Sequence, residues 1–230
     1  GMMASFMPEL ARCFLTPQKN KYHIYNVGEH IMHTLDNSPK ELLLRWAALL
    51  HDVGKPKCSS LDSNGIIHVY GHHRESMAIA EVILSKLHLE RAFLRNILLL
   101  IEYHDVRIDA SMPAIKRLLS KIGDRMFYKL LILQEADARA KNPVYVDEKL
   151  EKIKSLRHMA EIITEENQPY RISDLAINAR DLMKLKYKAG RQINDTLKIL
   201  LEDVIVNPSL NDHMYLINKA KMLKNGRSGK

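Results

Sequence analysis

The chain has 230 residues, of which 46% are hydrophobic and 27% charged, and a formal net charge of +8. This length and apolar content supply the core of one large domain or two small ones and exclude a disordered or fibrous polypeptide. The longest uninterrupted apolar runs, Trp46 to Leu50 and Ile97 to Ile101, fall far short of the roughly 20 residues that a membrane-spanning helix needs, which excludes a helical membrane span.

In chain order, Gly1-Met2-Met3 is not a basic stretch followed by an apolar one; no secretory leader is expected and the chain is assigned to the cytoplasm. Apolar residues then recur three and four apart almost throughout, predicting helices at about 26–37, 40–53, 75–87, 90–104, 113–122, 124–140, 147–167, 190–206 and 211–224. Ser38-Pro39 is expected to open the second helix and Gly54 with Pro56 to stop it, while Ser111-Met112-Pro113 opens another. One hairpin signal interrupts the helices. Asp62-Ser63-Asn64-Gly65 followed by Ile66-Ile67-His68-Val69-Tyr70 leaves room for a short β-ribbon near 61–70.

Cys13 and Cys58 are isolated, so neither a disulfide framework nor a thiolate zinc site is expected. The charge is uneven. From Arg180 onward eleven basic residues face five acidic ones, so six of the eight net charges lie there. Such an end attracts polyanions without specifying which. The lysines around Tyr187, from Lys184 to Lys188, fit either a solvated face or a track along an RNA backbone. A change of character near Gln168-Pro169-Tyr170 divides the chain into a body, 1–167, and a basic helical tail, 168–230.

His-Asp dipeptides are common by chance, and two occur, His51-Asp52 and His104-Asp105. His51-Asp52 stands out because it ends the apolar run Leu49-Leu50 and precedes Gly54. A buried aspartate beside a histidine is costly unless a divalent ion takes both as ligands. Imidazole with carboxylate suits zinc, iron or manganese better than calcium. Further ligands are available in His30, on the preceding helix, and in Asp137, at the end of the apolar run that begins at Leu130. His72 and His104 offer places for a second ion with Asp52 as the bridge. Lys55 is either a phosphate-contacting charge or an exposed loop lysine. Arg139 is a second cationic candidate, whereas His23, His33, His68, His88, His158 and His213 are expected to be structural or exposed.

The order His30, His51-Asp52, His72, His104, Asp137 resembles the HD-domain superfamily of phosphohydrolases. Lys21 to His30, Leu44 to Pro56, Tyr70 to Ser76 and Glu135-Ala136-Asp137 are similar to the HD domain of bacterial tRNA nucleotidyltransferases, the CCA-adding enzymes. Asp174 to Asn178, Asp181-Leu182, Gly190 to Ile193 and Asn207-Pro208 with Asn211 resemble that family's tail, so the likeness covers roughly residues 8 to 220. Two features depart from the pattern. No Asp-x-Asp for a nucleotidyl-transferring head is present, and Ala179-Arg180 stand where the family usually has glycine before the tail Asp-Leu.

The resemblance implies an all-α HD-type bundle with a helical tail. It implies a metal site of His30, His51, Asp52 and Asp137, extended by His72 and His104. One or two ions of iron, manganese, nickel, cobalt or zinc are implied, with magnesium a further candidate. Asp52 and Lys55 become the catalytic residues, and His73, Arg74 and Arg139 the substrate-phosphate contacts. The implied substrate is a nucleotide or RNA 3′-end phosphate, with 2′,3′-cyclic phosphates and nucleoside phosphates the first to try and tRNA a candidate partner. An alternative is a tRNA-binding module whose metal site is structural or vestigial.

Overall fold

The computed structural model describes residues 5–18, 20–61 and 67–227. Among them the chain is all-α apart from one two-stranded ribbon, as the periodicity predicts. The helices are α1 (Pro8–Cys13), α2 (Val27–Asn37), α3 (Leu42–Leu50), α4 (Lys55–Cys58), α5 (His72–Ser85), α6 (Arg91–Tyr103) and α7 (Met112–Ile122). They continue with α8 (Asp124–Arg139), α9 (Val146–Glu165), α10 (Ala179–Lys184), α11 (Arg191–Val206) and α12 (His213–Arg227). The ribbon pairs β1 (Ser60–Leu61) with β2 (Ile67–His68) antiparallel, Ser60 opposite His68 and Leu61 opposite Ile67. The turn expected at Asp62 to Gly65 lies outside the described residues. No helix is long and apolar enough to cross a membrane among them.

The chain forms two compact units, Gly1–Ile108 with Asp124–Arg157, and Asp109–Gly123 with His158–Lys230. They do not coincide with the 1–167 and 168–230 division. The break falls inside α9, and α7 joins the later unit because it packs on α11.

In the first unit α3 is central, touching α2, α5, α6 and α8. Its sequence explains the position: Leu43, Leu44, Ala47, Ala48 and Leu50 are buried, giving an apolar surface too broad to leave against water. Ile31 of α2, Ile97, Leu100 and Ile101 of α6, and Phe127, Leu130 and Leu131 of α8 complete the core. The second unit has its own core, in which Leu182, Leu200, Val204, Leu216 and Ala220 are buried.

Several helix ends differ from expectation. Ser38 does not open α3; it closes α2, its hydroxyl donating to the Thr34 carbonyl at 2.8 Å. Glu41 precedes α3 without a side-chain cap. Ser111 opens α7 as expected, its Oγ accepting from the Ala114 amide at 3.4 Å. The short helices α1 and α10 were not expected, because six residues carry too few repeats to show a period.

The α3 helix stops at Leu50, before Gly54. Residues 51–54 form turns instead, with the Lys55 amide donating to the Asp52 carbonyl at 3.0 Å. Gly54 has φ of −81°, a conformation open to any residue. Its requirement for glycine is steric: a Cβ there would lie 2.4 Å from the Ser76 nitrogen and 2.7 Å from the His72 oxygen. Its amide also donates to Ser76 Oγ at 2.9 Å. The missing side chain therefore lets the first turn of α5, with His72, come down on the His51-Asp52 turn. Because the obstructing atoms are backbone, Gly54→Ala is expected to lower stability by about 1–3 kcal/mol through overpacking, read as a lower urea midpoint with unchanged slope.

Candidate metal centre

Six side chains from five places in the first unit converge: His30 of α2, His51 and Asp52 after α3, His72 at the start of α5, His104 after α6, and Asp137 near the end of α8. All six are buried. Asn26 sets the start of α2 through a capping box with Glu29, fixing the helix that carries His30. His51 and His104 share one local device, each at the C-cap of its helix with Nδ1 turned back 2.7 Å from the carbonyl three residues earlier, Ala48 or Ile101. His72 Nδ1 reaches the Val69 carbonyl at 2.9 Å, and His30 Nδ1 reaches the Ala140 carbonyl at 3.2 Å.

A carbonyl only accepts, so these contacts place the proton of each neutral imidazole on Nδ1 and leave Nε2 with a lone pair. The four Nε2 atoms then face one another and two carboxylates. His30 and His51 Nε2 are 3.4 Å apart, and His72 and His104 Nε2 are 3.3 Å apart. Asp52 lies between the pairs. Its Oδ2 is 3.4 and 3.2 Å from His30 and His51, and its Oδ1 is 3.3 and 3.5 Å from His72 and His104. Asp137 Oδ1 is 3.0 Å from His30 Nε2. Asp52 Oδ1 is buried without a hydrogen-bond partner.

Such a gathering of lone pairs fits a cation. Donor atoms bound about 2.0–2.2 Å from one ion stand roughly 3.0–3.5 Å from each other, the spacing seen here. Two groups meet the condition, His30 with His51 and Asp52, and Asp52 with His72 and His104. Asp52 belongs to both.

Two lysines brace the carboxylates. Lys55 Nζ is 2.6 Å from Asp52 Oδ2 and donates to Gln18 Oε1 at 2.8 Å. Lys141 Nζ is 2.5 Å from Asp137 Oδ2. Burial pushes both carboxyls up, but the positive charge of Lys55 beside Asp52 and of Lys141 beside Asp137 works against it, and each is held well below the usual range. Burial pulls His30 and His104 down. In His72 burial acts the same way, yet the Asp52 carboxylate outweighs it and the net direction is upward.

Lys55 is not an exposed loop lysine: it is 5% exposed and turned onto Asp52. His73 stands beside His72, ring centroids 6.0 Å apart, and Arg74 is exposed on the same turn. Arg139 is also exposed, its guanidinium bonded to Glu135 at 2.9 Å. The structure brings none of these three within the cluster. Three residues that do border it were missed. Lys141 had a readable signal, its i,i+4 spacing from Asp137. Gln134 Nε2 donates to the His104 carbonyl at 3.0 Å. His23 packs edge-on against His30, centroids 5.1 Å apart, and burial pulls it down to about 2. Cys13 is buried, which pushes its thiol up to about 12, and lies outside the donor groups.

The HD domain family matches residues 21–206. The chain belongs to the HD-domain family. That superfamily consists of metal-dependent phosphohydrolases and generally binds divalent metals. The chain is 30% identical over 145 residues to the A-adding tRNA nucleotidyltransferase of Deinococcus radiodurans, covering 61% of this chain and 33% of that protein. It is 26% identical over 208 residues to the multifunctional CCA protein of Alkalilimnicola ehrlichii, 86% of this chain and 46% of that one. With the multifunctional CCA protein of an Azoarcus species it shares 33% identity over 91 residues, 38% of this chain and 21% of the relative. This HD-domain chain thus spans less than half the length of these relatives.

The tail motifs behind the resemblance serve local structure. Asn178 and Asp181 form the capping box of α10, and Asn211 bonds the Ala176 amide and the Asp174 carbonyl, both at 2.8 Å. Tyr187, which stands among the lysines weighed as an RNA track, is buried with its hydroxyl donating to the Ala220 carbonyl at 2.6 Å. It therefore offers no face to a base.

Two outcomes are expected of this HD domain. His23, His30 and His104 are held below their ordinary 6.5, so below that pH the unfolded chain binds protons that the native chain refuses, and stability falls with pH. His72 acts in the opposite direction. Urea unfolding of chelated protein should show a midpoint that declines between pH 7 and 5. Lys141→Ala should weaken metal binding by about 10- to 100-fold, as loss of a ligand's partner does, measured by competition with a chromogenic chelator.

Proposed function

We propose that this HD domain hydrolyses a phosphoester or phosphodiester on a nucleotide or RNA end, with His30, His51, Asp52 and Asp137 holding one divalent ion and Asp52, His72 and His104 a second. One observation carries the proposal: four imidazoles and two carboxylates are buried with their Nε2 and Oδ atoms turned toward one another while each Nδ1 is taken up by a backbone carbonyl. The nitrogen-rich donor set favours iron, manganese, cobalt, nickel or zinc over magnesium. When bound, such a cation supplies Lewis acidity, activating water and polarising a phosphoryl oxygen.

The chain's own residues provide the rest. The backbone carbonyls of Ala48, Val69, Ile101 and Ala140 hold the four imidazoles in one tautomer and orientation. Asp52 orients the attacking water, and Lys55 and Gln18 fix Asp52, so Lys55 is a positioning residue that also keeps positive charge near the reaction. The water oxygen bonds to phosphorus, the ester P–O bond breaks, and the proton released by water passes to the leaving oxygen. Burial of the cluster restricts bulk water. By family likeness, 2′,3′-cyclic phosphates and nucleoside phosphates are the substrates to try first, and a cytoplasmic location belongs to the same proposal.

A second reading has support from the name of one relative, a tRNA nucleotidyltransferase, and from the basic tail: the chain grips tRNA and its metal site is structural. The two separate in one experiment. The protein is analysed for bound metal, then assayed on cyclic and linear nucleotides beside Asp52→Asn. The hydrolase is expected to carry a transition metal and to lose at least about 10³-fold in kcat/KM in the variant. Salt-dependent tRNA binding without metal-dependent turnover would favour the second reading.

A further inference from the structure

A cleft of about 490 Å³ opens beside the cluster, within the first compact unit. Its lining joins the cluster at four points. His23 packs on His30, Lys141 holds Asp137, Gln134 donates to the His104 carbonyl, and Asp105 directly follows His104. A ligand in the cleft therefore lies against the direct neighbours of the donor residues, which themselves stand one side chain behind its wall. The volume falls within the range of about 300–1,000 Å³ typical of sites for small molecules, enough for one nucleotide and too little for a helix of nucleic acid.

One wall is a single helical face. Tyr145, which leads into α9, is followed on the lining by Lys149, Lys152 and Leu156, a helical spacing that puts all four on one side. At the mouth Tyr22 meets Tyr145 edge-on, ring centroids 4.9 Å apart, with Lys21 Nζ 5.1 and 5.6 Å from the two rings. This pair is built rather than incidental. Asn142 holds the Tyr22 segment twice, its amide donating to the Tyr22 carbonyl and its Nδ2 to the Lys21 carbonyl, both at 2.9 Å.

The charge of the lining is also selective. Arg107, Lys141, Lys149 and Lys152 face only Asp105 and Glu148. Lys141 is already engaged by Asp137, whereas Arg107, Lys149 and Lys152 form no hydrogen bond or ion pair among the described residues. From Tyr145 to Lys152 the helical rise is about 10 Å, comparable to the reach of a nucleotide from its base to a distal phosphate. His23 Nδ1, buried in the same lining without a partner, is a further polar group for a ligand to satisfy.

We propose that this cleft takes a nucleotide bearing a second phosphate besides the one hydrolysed, its base against Tyr22 and Tyr145 and that second phosphate on Lys149 and Lys152. The inference rests on the phosphohydrolase reading of the adjoining cluster and adds a substrate class to it: nucleotides phosphorylated at both ends of the ribose, free or at the end of an RNA. Aromatic faces accept any base, so preference comes from the phosphate count rather than base identity.

The test compares adenosine 3′,5′-bisphosphate with adenosine 5′-monophosphate, by calorimetry, on the full chain treated with chelator. The bisphosphate is expected to bind at least about tenfold tighter, and the exposed-residue variant Lys149→Ala/Lys152→Ala to abolish the difference with unchanged circular dichroism. Tyr22→Ala should weaken both ligands alike. Equal affinity of the two nucleotides, or a preference that survives the double variant, overturns the proposal. Turnover by metal-loaded protein is measured separately. Preference without turnover removes the hydrolase and leaves the cleft, while turnover without preference does the reverse. A trinucleotide ending in a 3′-phosphate that competes as well as the bisphosphate assigns the second phosphate to an RNA chain; failure to compete assigns it to a free nucleotide.

Discussion

Asp52 is a carboxylate enclosed by a helical core, and most of the surrounding architecture answers the electrostatic problem this creates. Leaving such a charge without compensation costs several kcal/mol. Lys55 meets one oxygen at 2.6 Å, but Oδ1 has no hydrogen bond, although His72 and His104 Nε2 stand 3.3 and 3.5 Å away. Those nitrogens present lone pairs because their protons are committed to backbone carbonyls. The arrangement makes chemical sense around positive charge, and the two oxygens of one carboxylate divide the four histidines into two pairs.

The same constraint explains details of the fold that otherwise look arbitrary. Gly54 lacks a side chain so that α5 can bring His72 onto the Asp52 turn. Two helices end on histidine, and each ending directs a ring nitrogen inward by the same backward bond to its own last turn. Lys141, one turn beyond Asp137, steadies the second carboxylate and also lines the cleft. It thereby ties the donor cluster to the surface on which a ligand would lie.

The two His-Asp dipeptides show how far local sequence reaches. Both histidines turn inward, yet Asp52 is buried among donors while Asp105 is exposed and borders the cleft. Nothing within either dipeptide distinguishes them. The difference arises because α5 closes over the first turn, held by the Gly54 amide on Ser76 Oγ. In the tail, Asn178, Asp181 and Asn211 stood out in the sequence and prove to bond backbone groups, a role that requires only local geometry.

The helical class, the approximate helix positions and the residues able to bind metal were legible from the sequence, because apolar periodicity and side-chain chemistry are properties of short segments. So was the family, through motifs spread along the chain. Which oxygen faces which imidazole, that Lys55 is buried on Asp52, and that His23, Gln134 and Lys141 border the cluster were decided by tertiary packing. Those contacts join residues tens of positions apart, and their distances depend on how whole helices seat against α3. No local pattern carries that information.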